Sequence, residues 1–118
     1  MPMKPLIPKK KHGPEHKIQE DIIKFLRYRG WFVKPTHGNM YQSGFPDLFT
    51  THYTYGHRWV EVKDPNRTGD PFTHAQREIF PLLCANGSGV WVMVGATEPE
   101  YQKLFKKYNW WQYTGVYK

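Results

Sequence analysis

Two apolar segments joined by a tight turn are the strongest constraint on how this chain folds. Residues 47–54, DLFTTHYT, and residues 57–63, HRWVEVK, are both rich in residues favoured in strands. Tyr55-Gly56 lies between them and suits a turn, so the pair is predicted to form a β-hairpin. Because side chains alternate across a strand, Glu61 and Lys63 share one face and the neighbouring valines take the other. A carboxylate and an ammonium therefore occupy one face of an otherwise apolar strand.

Helix and strand signals surround this hairpin. Ile18, Ile22 and Phe25 recur at helical spacing, which predicts a helix over residues 15–29 that Gly30 ends. The other predicted elements are strands at 31–36 and 89–95, helices over 73–86 and 98–108, and an edge strand at 109–118. The order helix, strand, hairpin, helix, strand, helix predicts one α/β domain with a mixed β-sheet flanked by helices over residues 15–118. Residues 1–14, rich in proline and lysine, are predicted to form an extended basic arm.

Two details of these elements carry structural expectations of their own. Pro81 lies inside the second predicted helix and is expected to kink or split it, since proline lacks a backbone N–H. The run GVWVMVG at 89–95 is almost continuously apolar, as in a buried central strand. The C-terminal aromatic residues from Trp110 to Tyr117 suit core packing or a subunit contact better than base stacking, although rings serve both purposes.

The charge balance points to a polyanionic partner. Net charge is +7, and such an excess attracts nucleic acid, although it also serves solubility alone. Lys9, Lys10 and Lys11 form a run that suits either phosphate binding or a solvated tail. Cys84 is the one cysteine, so an internal disulfide is excluded. No run of apolar residues is long enough to span a membrane. We expect an intracellular location, in the cytoplasm or nucleoid of a host cell, and the chain suits a virus-encoded protein.

The hairpin also predicts a chemical site. Pairing brings Asp47, at the start of the first strand, beside Glu61 on the second. Two close carboxylates repel and raise one another's pKa unless a cation lies between them. Mg²⁺ prefers such oxygen ligands and keeps waters, one of which can attack a phosphodiester. Lys63 can orient that water or stabilise the charge that grows on phosphate.

These residues resemble the core of the PD-(D/E)XK nuclease superfamily, and more closely the virus-type replication–repair nuclease (VRR-Nuc) domains. The quoted pieces are EHKIQ at 15–19, GFPDL at 44–48, EVKDP at 61–65 and THAQ at 73–76. Two departures, Phe45 and the segment following Lys63, lie beside the chemistry and bear on substrate fit. The resemblance implies a restriction-endonuclease-like fold, metal bound by Asp47, Glu61 and the Val62 carbonyl, and Gln76 as an auxiliary residue. Mn²⁺ is expected to substitute for Mg²⁺.

The resemblance further implies an acid on the first helix, and two glutamates are candidates. Glu15 lies three residues before Ile18 and seven before Ile22, on the apolar stripe. Glu20 lies on the opposite side, where it has no route to the sheet. Glu15 is therefore predicted to bind the metal or its water. Its alternative role is a favourable negative charge at a helix N-terminus.

Single-domain members of this family resemble homodimeric resolvases of four-way (Holliday) DNA junctions. That likeness predicts structure-selective cleavage by paired nicks, because a two-fold dimer presents two sites to a two-fold junction. Two alternatives are open: a nicking or restriction-like endonuclease of the same fold, and a non-catalytic DNA-binding module. Further DNA contacts are predicted at His37 and Arg67. The chain has no paired cysteines, so a zinc site or an HNH-type nuclease is poorly supported.

Overall fold

The computed structural model describes residues 14–36, 44–66 and 72–113. Helix α1 spans Pro14–Tyr28, and strands β1, β2 and β3 span Phe32–Pro35, Leu48–His52 and Gly56–Val62. Helix α2 spans His74–Ala85, strand β4 spans Val90–Met93, and helix α3 spans Glu98–Gln102. Two 3₁₀ turns follow, at Lys103–Phe105 and Trp110–Tyr113. No helix in these described ranges is long and apolar enough to cross a membrane.

The four strands form one mixed sheet in the order β1-β2-β3-β4. The β1–β2 and β2–β3 pairs are antiparallel, and β3–β4 is parallel. The predicted hairpin is present, with Leu48 opposite Val60 and Phe49 opposite Trp59. Its turn lies at residues 53–55 and Gly56 already begins β3, so the predicted turn at Tyr55-Gly56 is wrong. The chain is therefore an α/β protein with a mixed sheet flanked by helices, as the order of its elements predicted.

Each face of the sheet carries its own apolar core. On one face, Ile22 and Leu26 of α1 pack with residues of all four strands, including Val60 and Val62. On the other face, Phe80 of α2 packs with Val90, Val92, Phe72 and Trp110. The strands alternate between these two cores, so Glu61, between two valines of the first face, lies on the α2 face.

Strand β4 lies at an edge of the sheet, so its prediction as a central strand is wrong. All four of its residues are nevertheless buried. Helices cover both of its faces, and Asn109 covers its outer edge: the Asn109 side chain accepts a hydrogen bond from the Val92 amide at 2.7 Å, and the Asn109 amide donates to the Val90 carbonyl at 3.3 Å. The apolar run thus reports burial of the strand and not its position in the sheet.

The predicted C-terminal edge strand is also wrong over its described part. Residues Trp110–Tyr113 form a 3₁₀ turn, and residues 114–118 lie outside the described ranges. Trp110 is 4% exposed and meets the rings of Phe72 and Phe80 edge to face. This ring is core, as the packing interpretation of the aromatic C-terminus predicted. The third predicted helix is shorter than expected, since regular α-helix ends at Gln102.

Pro81 does not split the second helix. Helix α2 runs without interruption from His74 to Ala85, with Pro81 inside it. Pro81 is exposed, whereas Phe80 before it is fully buried and Leu83 after it packs against the same core. Packing on both sides of the proline therefore holds the helix together across the missing N–H.

Candidate active site

The backbone before β2 is fixed by contacts on both sides. The Thr36 amide donates to the Asp47 carbonyl at 2.9 Å, and its hydroxyl donates to the Pro46 carbonyl. Phe45 meets the Trp59 ring edge to face at a centroid distance of 5.6 Å. The sequence offered no role for Phe45; its ring anchors this segment to the neighbouring strand. The direction of the Asp47 side chain is set by these contacts.

Gly44 lets this segment lie directly against α2. Its φ of +89° falls where side chains are strained, and an added Cβ would lie 2.9 Å from both the Ala75 carbonyl oxygen and the Ile79 Cγ1. Close backbone contact and positive φ thus both require glycine at this position.

We expect Gly44→Ala to lower the free energy of unfolding by about 2–4 kcal/mol, combining backbone strain with overpacking. Gly87→Ala is the matched control, because Gly87 also has positive φ, at +97°, but nothing lies within 4 Å of its added Cβ. Gly87→Ala should suffer only the backbone strain, which lowers the free energy of unfolding by about 1–2 kcal/mol. Urea unfolding of both measures the difference. Equal losses would contradict the close packing of Gly44 on α2.

Asp47 and Glu61 are brought together at one end of the β2–β3 hairpin. The Asp47 amide donates to Glu61 Oε1 at 3.2 Å. The Val62 amide donates to Asp47 Oδ2 at 2.8 Å. Glu61 is 1% exposed and Asp47 is partly buried. Two acidic side chains therefore share one small volume, as the hairpin predicted; the Val62 carbonyl stays a predicted ligand.

Lys63 and Gln76 complete a buried polar cluster around Glu61. Lys63 Nζ lies 2.9 Å from Glu61 Oε2, and Lys63 is 5% exposed. Its ammonium also lies 4.8 Å from the centre of the Phe72 ring, a cation–π contact that sequence inspection missed. Gln76 Nε2 donates to the same Glu61 oxygen at 2.9 Å. The predicted site residues 47, 63 and 76 thus all contact Glu61.

Gln76 owes its direction to the start of α2. Thr73 caps the helix: its hydroxyl accepts from the Gln76 amide, and its own amide donates to Gln76 Oε1, both at 3.1 Å. This reciprocal pair is a capping box. With its amide oxygen held by the cap, Gln76 presents its Nε2 group to Glu61. The T-x-x-Q spacing was the sequence signal for this arrangement.

The surroundings of Glu61 disfavour its charged form. Burial raises the pKa of Glu61 from 4.5 to about 8, and the Asp47 charge adds to the rise. Lys63 and Gln76 act in the opposite direction but do not outweigh burial. A divalent cation between the two carboxylates would supply the positive charge that allows both to ionise. The donor set thus fits Mg²⁺, which commonly binds through one or two carboxylates and keeps several waters.

Glu15 lies on the inward side of α1, as its spacing predicted. Ile18 and Ile22, on the same stripe, contact the core of that face, whereas the Glu20 carboxylate is exposed and pairs with His16 at 3.2 Å. Glu15 Oε2 is buried and accepts no hydrogen bond from the described residues. An unsatisfied buried carboxylate oxygen is costly, so this atom is a candidate for a cation or water ligand.

The structure does not bring Glu15 into the cluster around Glu61. Helix α1 packs on the face of Val60 and Val62, and Glu61 points to the other face. Within residues 14–36, 44–66 and 72–113, no group of three or more histidine, cysteine, aspartate or glutamate side chains is placed to hold a metal ion. Asp47 and Glu61 are thus the carboxylate pair that could bind one, and the role of Glu15 as a third ligand stays a prediction.

The predicted DNA contacts fall outside the described residues. These are Lys9, Lys10, Lys11, His37 and Arg67. Comparisons of the chain with protein-family models, curated proteins and solved structures give no match. The likeness to VRR-Nuc domains therefore rests on the short motifs at 15–19, 44–48, 61–65 and 73–76.

Proposed function

We propose that this chain is a Mg²⁺-dependent DNA endonuclease. The observation that carries the proposal is the contact cluster of Asp47, Glu61 and Lys63: two adjoining carboxylates and an ammonium at the end of one hairpin. Metal-ligating oxygens beside a cationic group suit metal-assisted hydrolysis of a phosphodiester. The net charge of +7 favours a polyanionic substrate.

Each residue has a separate role in this proposal. Asp47 and Glu61 hold the cation, which when bound supplies a water of lowered pKa and neutralises phosphate charge. Lys63 orients the attacking water or donates to the phosphate oxygen on which charge grows. Gln76, held by its helix cap, fixes the direction of the Glu61 carboxylate. Water adds to phosphorus, the phosphorus–oxygen bond to the leaving nucleotide breaks, and a proton passes to that oxygen.

The proposed substrate is a branched duplex, favouring the four-way junction, cut by paired nicks of a homodimer. A single small domain holds one site, and two-fold pairing would present two sites to a two-fold junction. The resemblance to junction-resolving VRR-Nuc domains supports the same choice. Selectivity would then follow the shape of the DNA and not its base sequence.

A labelled four-way junction and a linear duplex of the same arm sequence test the proposal. We expect cleavage of the junction with Mg²⁺ or Mn²⁺, none with a chelator, and at least about 100-fold less with Asp47→Asn, because that change weakens a proposed metal ligand. Gel analysis of both strands shows whether the nicks are paired. Equal cutting of the duplex would contradict junction selectivity. Failure to cut any DNA in either metal would contradict the nuclease proposal.

A further inference from the structure

Aromatic side chains form a continuous strip on the face of the sheet that carries Glu61. Neighbouring ring centroids lie 6.2 Å apart for Phe32 and Phe49, 5.5 Å for Phe49 and Trp59, and 5.6 Å for Trp59 and Phe45. The His57 ring stacks on Phe49 at 4.7 Å. We call these five residues the ring strip.

The strand register places the ring strip directly beside the acidic pair. Phe49 and Trp59 are cross-strand partners, two residues along from Asp47 and Glu61 on the same face. Phe32 and His57 belong to the next row, since both are paired with Thr51. Successive rows on one face are about 6.6 Å apart. Two rows of rings therefore extend along the strands away from the candidate site.

The ring strip is not part of the apolar cores. Phe32, Phe45, Phe49 and His57 belong to neither core cluster, and Trp59 packs only at the margin of one. The Phe32 side chain is 57% exposed, and the other members are partly buried. Phe32 is thus the most accessible ring of the strip, and the part of the other rings that stays exposed beside it is available for an occupant.

Charge limits what that occupant can be. Across β1, β2 and β3, the two rows contain, besides rings and Thr51, only Lys34, which lies opposite Phe49, and no acidic residue. The whole chain carries a net charge of +7, which favours a polyanionic occupant. A negatively charged ligand with flat rings satisfies both conditions.

We propose that the ring strip stacks the unpaired bases of a DNA strand whose phosphodiester lies at Asp47 and Glu61. Every base has a π-face, so aromatic rings on an open sheet bind single strands with little sequence preference. The inference rests on the proposed function and narrows its substrate to DNA with unpaired nucleotides next to the cleaved bond. At a branch point, such nucleotides become available when the base pairs next to the crossing open.

The test measures binding with no catalysis in progress. Fluorescence anisotropy of a labelled short oligothymidylate is recorded in chelator with the full chain and with Phe32→Leu, which keeps apolar bulk but removes the ring. We expect about five- to a hundredfold weaker binding. Phe32→Trp restores a ring and should bind at least as tightly as the wild type. Tyr53→Leu is the matched control, since Tyr53 is 96% exposed and outside the strip; its affinity should stay unchanged.

A second measurement locates the bases directly. Ultraviolet crosslinking of an iodouracil-substituted oligothymidylate, followed by peptide mapping, should give crosslinks at Phe32, Phe49, His57 or Trp59. Crosslinks confined to other residues, or equal affinities for Phe32→Leu, Phe32→Trp and the wild type, would overturn the inference. A third outcome would also overturn the inference: sedimentation shows that the wild type is a dimer, and Phe32→Leu dissociates that dimer but binds the oligonucleotide as tightly as before. The ring strip would then be an interface between copies of the chain.

These outcomes separate the inference from the function on which it rests. Mg²⁺-dependent cleavage of the junction without crosslinks to the strip would leave the nuclease proposal standing and refute the role of the rings. Crosslinks to the strip without any cleavage would support base stacking and contradict the nuclease proposal.

Discussion

Replacing Lys63 by alanine is expected to lower the rate of Mg²⁺-dependent DNA cleavage by at least about 100-fold, the usual cost of removing a group that stabilises developing charge. Lys63 is 5% exposed and lies 2.9 Å from Glu61, so its ammonium acts in a dry site where a charge interaction is strong. Single-turnover cleavage at saturating DNA measures the rate. Fluorescence anisotropy of labelled DNA, with Ca²⁺ in place of Mg²⁺, measures the affinity for uncleaved DNA, and this affinity should change little.

The same change removes the partner of a buried carboxyl group, so folding has to be followed separately. Lys63→Met keeps the apolar stem and serves as the second variant, with urea unfolding run on both. Lys17→Ala is the matched control, because the side chain of Lys17 is 70% exposed and pairs with Asp21 on α1. Wild-type cleavage by either folded Lys63 variant would contradict its role. A loss of affinity as large as the loss of rate would assign Lys63 to DNA binding instead.

The hairpin and its acidic pair could be predicted because their pattern is local. Alternation along two short strands predicts which residues share a face, and a three-residue turn at 53–55, in place of the predicted turn at Tyr55-Gly56, sets the observed register. That register places residue 47 beside residue 61, and the side-chain period places Lys63 on the same face. No long-range information enters these steps, and contacts among Asp47, Glu61 and Lys63 are what the structure contains.

The relation of α1 to the site could not be predicted from helical periodicity. Periodicity identifies the face of α1 that is buried, and Glu15 lies on it. It does not say which face of the sheet the helix covers. Parallel strands β3 and β4 are joined through α2, which covers the face of Glu61, and α1 covers the other. Whether Glu15 reaches a cation held by Asp47 and Glu61 thus depends on how α1, on one face, is placed relative to the end of the sheet where the two acids lie on the other face.

The position of β4 in the sheet could not be predicted from its sequence either. An apolar run reports that a strand is shielded on all sides, and the pattern is the same whether a neighbouring strand or a side chain does the shielding. Here the amide and side chain of Asn109 satisfy the open edge of β4, at Val90 and Val92. A single asparagine in an aromatic segment gives no signal of that role beforehand.

Glu61→Gln is expected to remove a large part of the pH dependence of stability. The pKa of Glu61 is raised in the folded protein to about 8 from 4.5, first by burial and then by Asp47. The unfolded chain therefore loses this proton near pH 4.5 and the folded protein near pH 8. Its contribution to stability is fully present below pH 4.5 and is lost as pH rises through about 8. Between these two pH values the folded protein holds one proton more than the unfolded chain, so the free energy of unfolding falls by about 1.4 kcal/mol per pH unit.

Urea unfolding of the wild type and Glu61→Gln at several pH values between 4.5 and 8 measures this effect. The amide also changes the hydrogen bonds to Lys63 and Gln76, so the test uses how the difference in stability between the two proteins changes with pH and not its value at one pH. That difference should rise in favour of the variant by several kcal/mol across the window. Glu20→Gln makes the same chemical change at an exposed position of α1 and should keep the wild-type slope. Parallel curves for the wild type and Glu61→Gln would mean that Glu61 is already ionised in the folded protein at low pH, and that its buried contacts to Lys63 and Gln76 outweigh the cost of burial.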